Sequence, residues 1–265
     1  MRLIIQCALE RSVPFPINQQ QHLAALVYRF LNTSDPEYAR FLHNDGYAID
    51  AGARRYKLFT FSGLRAPRHC RRMNGDTLWL GPGNVHWQIS SPREDFLRNF
   101  ATGLLATGAL EVGSQRLPIA EARTVSTPDF SAGTARFTCL SPIVAGVPDA
   151  EGTRYLRPCE GEAFSQAVRK NLLHKYQALH GAPPPDDRFA MTFDARYLAD
   201  PRPREGTKLV RFKEISIVGA QAPFTATGAP DLLELMWDCG AGEKNAAGFG
   251  MVDLTNSPDR QEQSE

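Results

Sequence analysis

The chain predicts an α+β protein in which one βαββαβ pattern is written twice in succession. Three observations carry this expectation. Strand-like alternation and helix-like apolar stripes follow one another in the same order in both halves of the chain. At 265 residues with 42% hydrophobic content, the chain can bury one large core or two small ones. The proline run Ala182-Pro183-Pro184-Pro185-Asp186-Asp187 lies inside the second pattern and reads as an interior loop, not a linker. Two tandem ferredoxin-like, RNA-recognition-like domains follow, each a sheet covered on one side by helices. Their expected bounds are 1–122 and 123–254, and the polar segment 255–265 is expected to be a disordered tail.

The elements follow in order. Met1 to Glu10 alternates as a strand, with Leu3, Ile5 and Cys7 on one face, and Pro14 and Pro16 are expected to end it. From Asn18 the period changes: Leu23, Leu26, Val27, Phe30 and Leu31 recur at three and four residues and form one helical stripe. Ser34-Asp35-Pro36 stops that helix and caps a second, which Asn44-Asp45-Gly46 ends near His43. Lys57 to Phe61 reads as a strand, and Thr77 to Leu80 with Val85 to Ile89 as another around Gly81-Pro82-Gly83. Pro92 opens a helix through Leu105, and Ala109 to Val112 begins a final extended region.

The second half repeats the order. Ala135 to Leu140 is a strand, Glu160 to Leu179 a helix with Phe164, Val168, Leu172 and Tyr176 in register, and Phe189 to Phe193 a strand. Leu209 to Val218 reads as one long strand, Asp231 to Asp238 as a short helix, and Phe249 to Leu254 as the closing strand.

Between that last helix and strand lies the most distinctive motif, Gly240-Ala241-Gly242-Glu243-Lys244-Asn245-Ala246-Ala247-Gly248-Phe249-Gly250. Glycines at both ends permit positive φ and leave no Cβ in the way, so backbone N–H groups here are able to converge on a phosphate. A dinucleotide fingerprint needs glycine where Asn245 stands, and a Walker A loop needs Lys-Ser/Thr after its last glycine, where Phe249 stands. Neither nucleotide motif fits. Taken alone, the loop reads as a glycine-rich helix cap and turn.

Composition excludes more than it identifies. A formal charge of +1 does not mark a nucleic-acid-binding protein, but Arg54, Arg55, Lys57, Arg65, Arg68, Arg71 and Arg72 fall in a stretch with no acid between Asp50 and Asp76. Such a cluster is either a solvated basic face or a site for a polyphosphate. Cys7, Cys70, Cys139, Cys159 and Cys239 are scattered and unpaired in spacing, which suits reduced thiols, and His69-Cys70 lacks the second spaced pair that a zinc site needs. The N-terminus lacks a signal-peptide core and no segment is apolar enough to span a bilayer, so a cytoplasmic protein without a membrane partner is expected.

The order Gly-hydrophobic-Gly, a spacer holding Lys244, then Gly-aromatic-Gly resembles the C-terminal signature of the CRISPR-associated repeat-RNA endoribonucleases, within the superfamily of repeat-associated proteins. Tyr28 in the first helix, Phe41-Leu42-His43, Tyr56-Lys57-Leu58-Phe59-Thr60-Phe61-Ser62 and Leu140-Ser141-Pro142-Ile143 are also similar to that family. The likeness extends over essentially the whole folded chain. It implies cleavage of CRISPR precursor transcripts within their repeats, with His43, Tyr28 and Lys57 as catalytic residues and no cofactor. It also implies a phosphate-binding role for Gly240, Gly242, Lys244, Asn245, Gly248 and Gly250. Arg54, Arg55, Arg68, Arg71 and Arg72 are expected to join them on the RNA. The implied partners are CRISPR repeat RNA, a CRISPR effector complex and, in a homodimer, a second copy of the chain.

These residue types suit RNA cleavage without a metal. The 2′-hydroxyl of RNA is itself a nucleophile, so an enzyme needs only to take its proton, stabilise charge on phosphorus and protonate the leaving 5′-oxygen. Histidine performs either transfer, lysine supplies compact positive charge, and tyrosine orients or exchanges a proton. Tyr28 beside the 2′-hydroxyl with His43 as donor to the leaving oxygen is the favoured assignment, and the sequence leaves the reverse open. The acids are too dispersed for a two-metal nuclease centre, so metal-independent cleavage is expected and no metal ligand is assigned. The alternative is a non-catalytic RNA-binding subunit of an effector complex, against which His43 in its matched context speaks.

Overall fold

The structure is a computed structural model that describes residues 1–49, 54–150, 152–200 and 206–256. Its first half is built on an antiparallel sheet in the order Thr60–Phe61, Gly83–Ser90, Arg2–Leu9, Gln115–Val125, Ala109–Val112. The second half has the order Phe189–Phe193, Phe224–Gly228, Thr134–Cys139, Val252–Leu254. Leaving aside Ala109–Val112, which forms a hairpin with the long Gln115–Val125 strand, each sheet places its strands second, third, first, fourth. That is the arrangement of a βαββαβ unit, so the structure is two ferredoxin-like folds in one chain.

The helical stripes account for the cores. Helix α1 (Gln20–Ser34) buries Leu23, Leu26, Val27, Phe30 and Leu31, and α2 (Pro36–Asn44) and α3 (Glu94–Thr107) add Leu42, Phe96 and Phe100 against Leu3, Ile5 and Cys7 of the sheet. In the second half, α4 (Gly161–His180) and a later helix, Pro230–Cys239, set Phe164, Val168, Leu172, Leu232 and Met236 against Phe137 and Phe224. The two halves are joined by buried polar contacts. Arg2 is 1% exposed, donates to the carbonyls of Trp237 and Val252 at 3.2 and 2.7 Å, and stacks over the Trp237 ring at 3.7 Å. Both faces of the first strand are therefore covered, one by helices and one end of the other by the second half.

Five expectations are corrected. Val13–Pro16 is itself a strand, the edge of a three-stranded sheet with Thr77–Leu80 and Arg71–Asn74, where an edge position tolerates its prolines. Thr77–Leu80 and Gly83–Ser90 thus belong to different sheets. Lys57 to Phe61 is no continuous strand: Leu58 has φ 53°, which separates Arg55–Tyr56, paired with Tyr47–Ala48, from Thr60–Phe61 in the main sheet. Leu209 to Val218 is a hairpin, Thr207–Phe212 with Ile215–Ala220, turning at Lys213 with φ 53°. The sheet strand in its place is Phe224–Gly228, absent from the sequence reading, as was the hairpin of Gly146–Asp149 with Gly152–Tyr155. The closing strand shortens to Val252–Leu254, and 257–265 of the expected tail lie outside the described residues.

Candidate active site

Helix geometry brings Tyr28 and His43 together. Tyr28 lies at the half-buried edge of the α1 stripe, and the Asp35 side chain, accepting from the Tyr38 N–H at 2.9 Å, starts α2 at a sharp turn with Pro36 in its first turn. Nine residues later α2 ends beside α1, leaving the His43 ring exposed and edge-on to Tyr28, centroids 5.2 Å apart at 78°. Phe59 backs the tyrosine at 6.3 Å. His43 Nδ1 lies 3.0 Å from the Asn44 Oδ1.

Lys57 meets the backbone that carries His43. Its Nζ donates to the carbonyls of both Leu42 and His43, at the C-terminus of α2, where a cation also meets the negative end of the helix dipole. Burial lowers the pKa of Lys57, with Asp45 opposing and Arg55 adding to the shift. Burial alone raises the Tyr28 phenol to about 12, so it stays protonated at neutral pH. Of the sequence-predicted trio, all three are therefore adjacent, and Lys57 touches backbone that carries His43.

The glycine loop sits against Thr60 and Phe61 and lines one cavity with Lys57, but its glycines are aimed inward. A Cβ on Gly242 would meet the Val144 carbonyl oxygen at 2.2 Å, on Gly248 the Phe61 ring at 2.5 Å, and on Gly250 the Ala241 oxygen at 2.0 Å. Gly240, with φ 85°, lies against Thr60 and the Asn245 amide. The amides of Ala241, Glu243, Ala247, Gly248 and Gly250 donate to carbonyls of the protein, and Asn245 Nδ2 spans to the Ala241 and Phe249 oxygens at 3.2 and 3.0 Å. These four glycines and Asn245 serve close backbone approach that lets the second half close onto the first, with Thr60 Oγ1 donating to the Phe249 carbonyl at 2.9 Å. What the loop presents outward is Lys244, exposed and held in the left-handed region at φ 59°.

This makes a stability prediction. Gly242→Val combines a positive φ of 67° with backbone overlap, each costing on the order of 1–3 kcal/mol. Chemical denaturation should show a loss of at least ~2 kcal/mol, and unchanged stability would return the glycine to a ligand-facing role.

Between the halves lies a cleft of about 420 Å³ lined by Lys57, Lys213, Lys244, Asn245 and Lys175. Arg54 and Arg55 border it but are paired, Arg54 with Glu243 at 2.9 Å and Arg55 with Asp45 at 2.7 Å. Arg68, Arg71 and Arg72 do not join this cleft. They line a second cavity of about 670 Å³ with Arg65 and Lys208, reaching Leu140, Ser141 and Pro142 of the other half. Arg72 also lies over the Trp79 ring at 5.7 Å. Sequence reasoning missed Lys175, Lys208 and Lys213, and of these Lys175 is only 3% exposed. The available signal was register, since Lys175 falls three residues after Leu172 on the stripe of α4.

Two family models account for nearly all of this chain: "CRISPR-associated protein Cas6, N-terminal" over residues 14–123 and "CRISPR associated protein Cas6, C-terminal" over 125–254. The chain is 30% identical over 261 residues to "CRISPR-associated endoribonuclease Cas6 1" of Methanocaldococcus jannaschii, covering 95% of this chain and 92% of that protein. It is 28% identical to "CRISPR-associated endoribonuclease Cas6" of Pyrococcus furiosus, covering 100% and 94%. A solved "CRISPR associated protein Cas6" superposes with a TM-score of 0.75 at 27% identity, covering 97% of this chain and 99% of that one. A second, described as "Characterization of a Cas6-related gene from Pyrococcus furiosus", has a TM-score of 0.80 at 20% identity, covering 97% and 99%, and supports the fold. With paired ferredoxin-like folds, a tyrosine–histidine–lysine group and a glycine loop closing one half on the other, the chain belongs to the Cas6 family of CRISPR-associated endoribonucleases.

Proposed function

We propose that this chain cuts CRISPR precursor transcripts within their repeats by the RNA's own 2′-hydroxyl. The oxygen of that hydroxyl forms a bond to the adjacent phosphorus as the bond to the 5′-oxygen breaks, leaving a 2′,3′-cyclic phosphate and a 5′-hydroxyl. The observation that carries this reading is the Tyr28–His43 pair, with Lys57 held at the same helix end. Tyr28, kept protonated by burial, orients the 2′-hydroxyl or phosphate through its hydroxyl, and the 2′-hydroxyl proton passes to solvent water at this exposed helix end. His43 is exposed enough to meet the scissile bond and supplies the proton to the departing 5′-oxygen. Lys57 sets the end of α2 and contributes positive charge beside the phosphorane.

Lys244 and Lys213 extend positive charge along the cleft, and the cavity of Arg65, Arg68, Arg71, Arg72 and Lys208 offers phosphate contacts further along the RNA. Near-neutral net charge is compatible with this because the cations are concentrated at the junction of the halves. The test is cleavage of a synthetic repeat RNA in excess chelator, with both product ends mapped. Cyclic phosphate and 5′-hydroxyl ends are expected. A strict need for a divalent metal, or 3′-hydroxyl and 5′-phosphate ends, would overturn the mechanism, and tight binding without cutting would favour a non-catalytic RNA-binding subunit.

A further inference from the structure

Lys175 is a buried cation that the chemistry above does not use. Its Nζ donates to the carbonyls of Gly240 and Gly242 at 2.7 and 2.9 Å, from the C-terminal half of α4 and across 65 and 67 residues of chain. An ammonium 3% exposed is costly to bury, and methionine or leucine would continue the apolar stripe of α4 without that cost. Two carbonyls converging on one cation repay part of it, and Gly240 is the C-cap of the Pro230–Cys239 helix, whose dipole favours a positive partner.

The position of those carbonyls gives the contact its consequence. They flank Ala241 at the entrance to the glycine loop, and only Glu243 separates the second from Lys244. Beyond them the loop is held by the Arg54–Glu243 ion pair at 2.9 Å and by neutral bonds: the Glu243 N–H to Val144 at 2.7 Å, Gly250 N–H to Pro142 at 2.7 Å, and the Asn245 amide inside the loop. Lys244 follows in a left-handed conformation that an ordinary residue adopts only under constraint. We propose that Lys175 is a positioning residue for RNA binding, an ammonium clamp that fixes the entrance of the glycine loop and thereby aims Lys244 at an RNA phosphate.

This inference rests on the reading of Lys244 as a phosphate contact, and the experiment separates the two. Binding of a synthetic repeat RNA would be measured from 50 to 200 mM salt for wild type, Lys175→Met, Lys244→Ala and the double variant. Lys244→Ala should weaken binding about tenfold, as for one charge-assisted contact, and lower the slope of log affinity against log salt by about one. Lys175→Met should do the same although Lys175 itself is shielded from the RNA, and the double variant should match Lys244→Ala instead of adding to it. If Lys244→Ala binds as wild type, the phosphate contact itself fails and the clamp with it. If Lys244→Ala weakens binding but Lys175→Met leaves the salt slope unchanged, or the two losses add, the clamp alone is overturned. Lys175→Gln, which retains an N–H donor, should fold and recover part of the affinity lost in the methionine variant. Should both replacements prevent folding, Lys175 is a core-stability residue and the positioning role is excluded.

Discussion

Replacing His43 with alanine is expected to slow single-turnover cleavage of repeat RNA by ~10²–10⁴-fold, the usual contribution of one positioned proton-transfer group, while RNA affinity stays near that of wild type. The separation follows from geometry. His43 is an exposed ring on the last turn of α2, where its loss removes no core contact, and the cleft-lining cations Lys213 and Lys244 lie on other elements. The fold around it is also held independently, by the Asp35 cap at the start of α2 and by Lys57 on the backbone carbonyls at its end. Rapid mixing of excess enzyme with labelled RNA measures the chemical step directly. A rate within threefold of wild type would remove His43 from the reaction, and a parallel loss of binding would make it a contact residue instead.

A larger effect is expected from the substrate. A single 2′-deoxy substitution at the nucleotide 5′ to the cut deletes the proposed nucleophile and leaves every phosphate in place, so binding should persist and cleavage should fall below detection. The reason is chemical, not steric: no neighbouring 2′-hydroxyl is able to reach the same phosphorus in line, and water would have to be activated by a site arranged for a different attack. The same RNA with the deoxy position moved one nucleotide further along should be cut normally. Normal cleavage of the first substrate would refute 2′-hydroxyl attack whatever the fate of the His43 variant, because the two experiments remove different atoms of the same reaction.

The helices of this protein were legible because their signal is local. Leu23, Leu26, Val27, Phe30 and Leu31 report one face of α1 without reference to anything else in the chain, and all five are buried. The strand errors have an equally local cause. Leu58 and Lys213 adopt positive φ, a conformation that sequence reading assigns to glycine or asparagine, so a break and a hairpin turn were hidden inside apolar runs. Prolines at Pro14 and Pro16 looked like strand breakers and proved to be edge-strand residues, since which strand lies at an edge is a property of the sheet.

The sequence by itself determined the α+β class, the doubled βαββαβ order and the glycine loop, and it singled out Tyr28, His43 and Lys57 as candidates. Only the tertiary structure decided how these parts are placed. It turned the loop glycines inward as points of close backbone approach, paired Arg54 with Glu243 across 189 residues, moved Arg68, Arg71 and Arg72 to a second cavity, and buried Lys175 beneath the loop. The physical reason is range. Periodicity and capping arise from neighbours within a few residues, where the backbone sets the spacing, whereas ion pairing, desolvation and the contact that forbids a Cβ depend on segments that meet only after folding.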